Sequence, residues 1–328
     1  MAAVDPKAGG GAQTSEFPEW FLKKKRERLL VVSRWVPISL IGLPVLVLLA
    51  IVIYPTIWMF FHAFHNTTLM SLTRDRYQFV WFDNFENVFT NERFLNSVVN
   101  LVQYLVFGAV LEVILGTAIA LMLFSVVKWN WMRTVLLICM VVPLMLPPAM
   151  TGLIWLLMLT PHNGIINEIL IITGLTTEKI EWFSTSLSLW SITFADIWQW
   201  TSLPLLIVYA GRASLPQSIY EAARVDGASR WKVLSRITLP MLKEVIAIAF
   251  IIRFMDAYKY VDKIYVMTSG GPAESSELPV YIAYQRGIRD FQVGEAAGYA
   301  IVIFAVAAVL VTLFLKYLKK VLKAQAIA

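Results

Sequence analysis

Residues 213–240 read ASLPQSIYEAARVDGASRWKVLSRITLP, and they are far more polar than the sequence on either side. The run Tyr220–Ala223 favours a helix, and Gly227 is a natural place for that helix to stop. The pattern Ser214-x-x-Gln217 indicates a capping box at the helix start, and Ser229 can cap a second helix. This segment, called loop 213–240 below, is therefore predicted to form two short helices joined by a sharp glycine turn.

The sequence around this loop is dominated by apolar residues. Hydrophobic residues make up 58% of the 328 positions and charged residues only 15%. A soluble protein of this length could not enclose so much apolar surface in one core, so lipid must be the solvent for much of the chain. Six segments reach the roughly 20 apolar residues that a membrane-spanning helix needs. These six predicted spans run Val36–Phe61, Val98–Val127, Thr134–Leu159, Leu187–Arg212, Val245–Met267 and Ala296–Leu318.

The positions of the basic residues orient these spans. If the N-terminus is cytoplasmic, 19 of the 28 Lys and Arg residues lie on the cytoplasmic side, eight lie outside, and Arg253 lies within a span. This imbalance follows the positive-inside rule and places both termini and loop 213–240 in the cytoplasm. We therefore predict an all-α integral membrane protein with six transmembrane helices and a cytoplasmic helix between the fourth and the fifth.

Four parts are predicted along the chain. The first part, residues 1–35, begins polar and ends strongly basic. Because it lacks the short apolar core and cleavage site of a signal peptide, we expect a tail with a basic anchor. The parts are a cytoplasmic tail and anchor at 1–35, the first span with an external loop at 36–96, a membrane core at 97–318 that includes loop 213–240, and a cytoplasmic tail at 319–328.

Two of the predicted spans carry polar residues that lipid would exclude. Residues at helical spacing share one face of a helix, and each of these spans has such a polar stripe. The stripes consist of Asp196, Gln199 and Trp200 in the fourth span, and of Arg253, Asp256 and Tyr260 in the fifth. Because polar groups bind hydroxyls and aromatic rings stack on sugars, the two stripes predict the walls of a path for a sugar-like solute.

A structural interpretation of the same region stays open. Arg253 and Asp256 are three residues apart and can neutralise each other without touching a solute. Glu112 is isolated in the second span, where we favour a structural hydrogen bond over transport. Cys139 lies in an apolar run, and the three histidines are too scattered to predict a metal site. The basic residues form no patch interleaved with aromatics, which argues against nucleic-acid binding.

Loop 213–240 resembles the EAA loop of ATP-binding-cassette importer permeases. The resemblance rests on Glu221-Ala222-Ala223, then Gly227, and then Ile237-x-Leu239-Pro240, with nine residues between the glycine and the isoleucine. In that family the loop forms a coupling helix that docks into a groove on an ATPase subunit. The resemblance therefore implies an ATPase-coupling role for Glu221, Ala222, Ala223, Asp226 and Gly227.

Other segments are similar to the maltose, trehalose and glycerol-3-phosphate class of these permeases. Asp256-Ala257 followed by residues 262–272 resembles that class at the exit of the fifth span, and Gly294–Gly298 resembles its entry to the last span. Val261 stands where the family pattern often has Phe. The similarity implies import of a sugar or sugar-like solute. It leaves open whether that solute is a neutral sugar, a polyol, a glycerol phosphodiester or an acidic glycoside.

The family also implies the rest of an assembly in the bacterial inner membrane. Its other members are a second homologous permease, two ATP-binding-cassette ATPase subunits and an external solute-binding protein. The sequence contains no phosphate-binding Gly-x-x-x-x-Gly-Lys-Ser/Thr motif. We therefore expect ATP and Mg²⁺ on the ATPase subunits and no cofactor on this chain.

Three alternatives assign a different function. A secondary transporter would explain the buried charges but not loop 213–240, and the two halves show no inverted repeat. A membrane enzyme would need a nucleophile, a base and an orienting group at one membrane face, and the sequence offers no such set, so we expect a non-catalytic transport subunit. A permease for peptides or amino acids would conflict with the exit motif of the fifth span.

Overall fold

A computed structural model describes residues 35–325, which are mostly helical. Two compact units divide the chain, Met1–Ile57 and Trp58–Ala328. The predicted N-terminal tail up to residue 34 and the last three residues of the predicted C-terminal tail lie outside the described residues. The four-part division of the chain stays a prediction.

The elements follow one another as a series of helices with one small hairpin. They are α1 (Trp35–Ala63), β1 (His65–Asn66), α2 (Leu69–Thr73), β2 (Gln78–Phe79), α3 (Asp83–Thr90), α4 (Glu92–Tyr104), α5 (Val110–Ser125), α6 (Asn130–Met145), α7 (Pro148–Leu159), α8 (Ile165–Ile172), α9 (Ser188–Trp200), α10 (Ser202–Ala213), α11 (Gln217–Val225), α12 (Arg230–Val233), α13 (Leu239–Tyr258), α14 (Asp262–Met267), α15 (Pro279–Tyr284) and α16 (Val293–Gln325). Three π-helical turns join neighbouring helices, at Leu105–Ala109, Leu234–Thr238 and Gln285–Arg289. β1 and β2 pair antiparallel, with His65 opposite Phe79.

Three of the described helical stretches are long and apolar enough to cross a membrane. They are Leu40–Ala63 in α1, Glu92–Ser125 through α4 and α5, and Val293–Tyr317 in α16. Each overlaps one of the predicted spans, the first, the second and the sixth. The helices predicted at these three places are therefore present, and by length and composition each could cross a membrane.

The third predicted span, Thr134–Leu159, is a bent pair of helices. α6 ends at Met145 and α7 begins at Pro148, and the two helices are bent by 98°. Pro147 and Pro148 lack the backbone N–H that a continuous helix needs, and their rings clash with the preceding turn. Together the two helices are long and apolar enough to make a fourth span.

The fourth and fifth predicted spans are also interrupted. α9 ends at Trp200 and α10 begins at Ser202, and Lys259–Val261 separates α13 from α14. By length and composition, none of these helices qualifies alone as a membrane-crossing segment in the part of the chain that the structure describes. The count of six spans therefore stays a prediction.

Close packing joins the second predicted span to the fourth. A Cβ atom on Gly116 of α5 would lie 2.7 Å from the Leu205 backbone nitrogen and 2.8 Å from the Thr201 carbonyl oxygen, so only glycine allows this approach. Near this contact, a small core of Ala120, Val208 and Leu242 joins α5, α10 and α13. Glu112 lies one helical turn before Gly116, so the same packing brings its carboxylate towards α9 and α13.

Arg93, at the start of α4, holds the segment that connects α14 to α15. Its Nε donates to Glu277 Oε2 at 2.6 Å, and its Nη2 donates to Gln285 Oε1. Asn100 Nδ2 donates to the Glu277 carbonyl oxygen at 3.0 Å. Gln285 Nε2 donates to Tyr281 Oη at 3.0 Å, and burial raises the pKa of that hydroxyl. The connection after α14 is therefore fixed to α4 by side-chain contacts.

Candidate functional sites

Four charged side chains meet in the interior, one each from α5, α9, α13 and α14. Glu112, Asp196, Arg253 and Lys263 are all 0% exposed, and we call them the ionic cluster. Arg253 Nε donates to Glu112 Oε2, and its Nη2 donates to Glu112 Oε1 at 3.1 Å and to Asp196 Oδ2. Lys263 Nζ donates to Asp196 Oδ1 at 2.6 Å, and Tyr104 Oη donates to Asp196 Oδ2 at 2.5 Å. Two carboxylates thus face two cations.

Aromatic rings lie against both cations of the cluster. The Arg253 guanidinium carbon lies 5.0 Å from the centroid of the Trp200 ring, and Lys263 Nζ lies 5.1 Å from that of Tyr260. Both distances are in the range of cation–π attraction. The rings of Tyr104 and Tyr260 stack with their centroids 5.7 Å apart. The cations are therefore held by carboxylates and by π faces together.

The energetic weight of the cluster follows from its burial. A buried ion pair contributes little net stability compared with an apolar pair of the same size, because both charges lose their hydration. Removing one partner, by contrast, leaves an uncompensated charge and typically costs about 3–5 kcal/mol. Because every member is enclosed by helices of this chain, the cluster is complete without another subunit.

The structure brings the two predicted polar stripes together. Asp196 and Arg253 touch directly, as expected for facing walls. The pairing of Arg253 with Asp256, which the sequence spacing suggests, is present but loose, with Arg253 Nη1 3.7 Å from Asp256 Oδ2. Asp256 also lies 3.5 Å from Lys259 Nζ. The main partners of Arg253 are therefore Glu112 and Asp196, and any contact with solute stays a prediction.

Four buried polar atoms of the stripes have no hydrogen-bond partner among residues 35–325. They are Gln199 Oε1, Trp200 Nε1, Arg253 Nη1 and Tyr260 Oη. The nitrogen of the Gln199 amide already has a partner, since Nε2 donates to the Leu146 carbonyl oxygen at 2.6 Å. These four atoms, with the partly exposed carboxylate of Asp256, are the stripe groups that have hydrogen-bonding capacity to offer.

Two members of the cluster were not predicted. The interpretation of Glu112 as isolated was wrong, because its partner Arg253 lies 141 residues away, beyond the reach of any local pattern. Lys263, by contrast, could have been predicted from the spacing of the polar residues in the fifth span. Positions 253, 256, 260 and 263 repeat at three or four residues, so Lys263 continues the predicted stripe of the fifth span.

Loop 213–240 forms the two short helices that its sequence predicts, α11 and α12. The turn between them is at Gly227, whose φ of +69° favours glycine, and no atom lies within 4 Å of a Cβ placed there. Ser229 caps α12 by accepting from the Lys232 N–H at 3.3 Å. The capping box predicted at Ser214 was wrong, because its hydroxyl donates to the last turn of α10. Pro216 precedes α11 without a side-chain cap.

One face of α11 is anchored to the rest of the chain. Tyr220 and Ala223 are buried. Tyr220 Oη donates to Thr238 Oγ1 at 3.3 Å, and the Arg212 guanidinium carbon lies 3.9 Å from the centroid of the Tyr220 ring. These contacts fix the direction in which the helix presents its other face.

The opposite side of the loop is exposed. Glu221, Ala222 and Asp226 all lie on the surface. Two large apolar side chains are exposed with them, Val225 at 88% and Trp231 at 74%. This side of the loop is therefore a mixed polar and apolar surface that the rest of the chain leaves uncovered.

An apolar cavity of about 450 Å³ lies on the other side of α9. Its lining is formed mainly by large apolar side chains of α7, α8, α9 and the turn before α5, among them Phe107, Trp155 and Phe194, and Trp182 joins them from the segment between α8 and α9. The two hydroxyls in the lining are committed, since Ser191 donates to the Trp182 carbonyl oxygen and Thr193 to that of Leu189. A hydroxyl-rich solute would find few groups to bind in this cavity.

The long apolar helices, the buried charges and the exposed loop define a multi-pass helical membrane protein with a surface suited to another protein. The family of inner membrane components of binding-protein-dependent transport systems matches residues 112–323, and the chain belongs to this family. The match begins at Glu112 and includes the whole ionic cluster and loop 213–240.

Related proteins agree with this assignment. The trehalose/maltose transport system permease protein of Thermococcus litoralis is 33% identical over 77% of this chain and 84% of its own length. The sulfoquinovosyl glycerol transport system permease protein of Agrobacterium fabrum is 29% identical over 89% of this chain and 91% of its own. The fold is that of a chain in a bacterial ABC transporter involved in the import of the acidic polysaccharide alginate. The TM-score is 0.76 at 20% identity, over 92% of this chain and 99% of that one.

Proposed function

We propose that the chain is the permease subunit of an ATP-binding-cassette importer that moves a sugar or sugar-like solute into the cytoplasm. The observation that carries the proposal is loop 213–240, in which α11 is anchored by Tyr220 and exposes Glu221 and Val225 beside the glycine turn. A short, rigidly held helix with an exposed mixed surface suits transmission of movement from another subunit. Membership of a binding-protein-dependent transport family supports the same role.

The class of solute is supported by the relatives. Their names refer to trehalose and maltose, to sulfoquinovosyl glycerol and to glycerol 3-phosphate, and the structural neighbour imports alginate. These solutes differ in charge and size but all carry several hydroxyl groups. Hydroxyls both donate and accept hydrogen bonds, so they match a set of partners that includes both kinds of group.

The proposed solute path runs along the two stripes, Asp196, Gln199 and Trp200 on one wall and Arg253, Asp256 and Tyr260 on the other. Arg253 Nη1, an unpartnered donor, lies 3.7 Å from the Asp256 carboxylate, and the Trp200 ring, whose Nε1 is also unpartnered, lies against the Arg253 guanidinium. A solute hydroxyl could accept from a donor and donate to the acceptor. In this proposal Asp196 contributes through Arg253, because its own oxygens are already bonded within the cluster.

Coupling is proposed to act through Glu221, Ala222, Ala223, Asp226 and Gly227. The ATPase subunits bind and hydrolyse ATP with Mg²⁺, a second permease completes the path, and an external binding protein delivers the solute. Of the neighbours, one bacterial alginate transporter is in complex with a periplasmic protein bound to an alginate pentasaccharide, which supports the last of these partners. This chain then has no catalytic residue and no cofactor of its own.

In the proposed topology the chain crosses the bacterial inner membrane six times with both termini in the cytoplasm. A cysteine near Pro272 should then react with a membrane-impermeant thiol reagent from outside, and one at Ala228 only from inside. Both are introduced with Cys139 replaced by Ser, because that thiol is exposed in the chain. The opposite labelling pattern would invert the orientation.

Reconstitution of the whole complex in vesicles tests the function. Radiolabelled trehalose, maltose and glycerol 3-phosphate are supplied with the binding protein, and solute uptake is measured beside ATP hydrolysis. The expected result is uptake of at least one hydroxylated solute that stops without ATP. Uptake that persists without ATP and follows an ion gradient would support a secondary transporter and overturn the proposal.

Substitutions of Arg253 and Asp256 test the proposed solute path in the same vesicles. Arg253→Met alone and Arg253→Met with Asp256→Leu are both expected to lower the amount of folded complex, because Glu112 and Asp196 lose the cation they share. Uptake per assembled complex is also expected to fall, while basal ATP hydrolysis of the assembled complex survives. Uptake restored by the double replacement would make this pair structural. The site would then be left to Asp196, Trp200 and Tyr260.

A further inference from the structure

The ionic cluster is a chain of contacts with two distinct ends. Glu112 bonds to Arg253, Arg253 to Asp196, and Asp196 to Lys263. The two inner members, Asp196 and Arg253, belong to the proposed solute path, whereas the two outer members belong to neither polar stripe as predicted. No direct contact joins Glu112 and Lys263 among the hydrogen bonds and ion pairs of the described residues.

Charge balance makes these two ends depend on each other. All four side chains are 0% exposed, and their formal charges are two negative and two positive. Loss of Glu112 leaves one excess positive charge, and loss of Lys263 leaves one excess negative charge. Loss of both leaves Asp196 and Arg253 as a balanced pair.

We propose that Glu112 and Lys263 are positioning residues that fix Arg253 and Asp196 through the charge balance of the cluster. Glu112 takes two N–H groups of Arg253 and directs the third nitrogen, Nη1, towards Asp256. Lys263 holds Oδ1 of Asp196, which leaves Oδ2 for Arg253 and Tyr104. That the fixed residues line a solute path rests on the proposed function, whereas the charge balance itself does not.

The first experiment compares Glu112→Gln, Lys263→Met and the double variant of the full chain in the assembled complex. Each single variant is expected to lower the amount of folded, membrane-inserted complex at least about tenfold, because it leaves a buried charge unpaired. The double variant is expected to recover most of that loss. Independent losses that add in the double variant would overturn the proposal.

Lys259→Met is the matched control for the rescue. Lys259 lies four residues before Lys263 but is 71% exposed and pairs with Asp256 outside the cluster. It should neither lower the amount of folded complex by itself nor rescue Glu112→Gln. Rescue by Lys259→Met would show a general effect of charge near the end of α13 and would also overturn the proposal.

Infrared spectroscopy of the purified complex at pH 8 gives a second readout, which reports the protonation of the buried carboxylates rather than the amount of folded complex. In Lys263→Met the excess buried negative charge is best relieved by protonating a carboxylate, so the C=O stretch of a carboxylic acid should appear. The band should be weaker in wild type and in Lys263→Arg, and it should be absent from the double variant. Its absence from Lys263→Met, or its presence in the double variant, would contradict charge balance. Neither measurement needs transport, so failure of the proposed function would be seen separately as lack of uptake by the wild type.

Discussion

The ionic cluster and loop 213–240 are opposite in what they bury. In the cluster, four charged side chains are fully enclosed, and each has a partner of opposite charge from the same chain. On the loop, Val225 and Trp231 are apolar and nearly free of contacts with the chain that carries them. In the cluster the charges are balanced within the chain, whereas the proposed function has the exposed loop covered by an ATPase subunit. Substitutions in the cluster should therefore lower the stability of the chain, whereas substitutions on the loop should lower uptake by weakening coupling to the ATPase subunits.

Asp196→Asn should have the largest effect of all on the cluster side of this comparison. Asp196 accepts from Arg253, Lys263 and Tyr104, so its neutralisation leaves two buried cations with Glu112 alone. We expect a loss of about 3–5 kcal/mol in the stability of the folded chain. The yield and thermal stability of the detergent-solubilised complex measure it. A variant as stable as wild type would show that the cluster is hydrated or open in the membrane.

Gly227→Pro should have the largest effect on the loop side. Proline fixes φ near −65°, whereas Gly227 has φ +69°, so the turn between α11 and α12 cannot form as it is. Uptake should fall at least about tenfold while membrane insertion is retained. Gly174→Pro is the matched control, because Gly174 has φ +71° and also has open space around it but lies outside loop 213–240. Equal loss of uptake in both variants would indicate general misfolding rather than lost coupling.

Glu221→Lys tests the loop without disturbing its backbone. Glu221 is exposed, so reversal of its charge should leave the fold of this chain intact. We expect uptake to be abolished because the proposed partner is a cationic residue in the groove of the ATPase subunit. The measurement is uptake in vesicles with the amount of inserted chain as the reference. Normal uptake would remove Glu221 from the coupling surface.

Tyr104→Phe should have a moderate effect within the cluster. The variant removes one hydroxyl that donates to Asp196 and leaves the two cations in place. A hydrogen bond to a charged group is typically worth about 1.5–3 kcal/mol, so the loss should be smaller than for Asp196→Asn. Chemical denaturation of both variants in the same detergent gives the order. The reverse order would mean that Tyr104, rather than the cations, determines the state of Asp196.

Trp231→Ala should have the smallest effect on this chain alone. With 74% of its surface exposed, the side chain contributes little packing, and the stability change should stay within about 0.5 kcal/mol. Binding of the ATPase subunits should nevertheless weaken, as measured by their copurification. Trp81→Ala is the control, because Trp81 is 68% exposed but lies in the predicted external loop. Weaker ATPase binding by both variants would argue against a specific role for Trp231.

Local patterns in the sequence predicted much of the fold but not the pairing within the cluster. The two helices of loop 213–240 and the glycine turn follow from residues close together in the chain. The bend at Pro147 and Pro148 also had a local signal, although the span was predicted as one segment. The Ser214 hydroxyl could bond either to the end of α10 or to the start of α11, and in the structure it donates to the Gly211 carbonyl at the end of α10. Contacts of Glu112 depend on how three helices pack, and no spacing within one helix encodes that.

The bend between α6 and α7 has a consequence for the order in which the chain is made. Carbonyl groups at the end of a helix have no partner within it, and in a membrane they must find one elsewhere. For Leu146, which directly follows α6, the partner comes from later in the chain, since Gln199 donates to its carbonyl at 2.6 Å. During synthesis this carbonyl therefore lacks that partner until 53 further residues have emerged. Nascent chains released before Gln199 should be cut by protease near Leu146, and chains in which Gln199 has packed against Leu146 should resist.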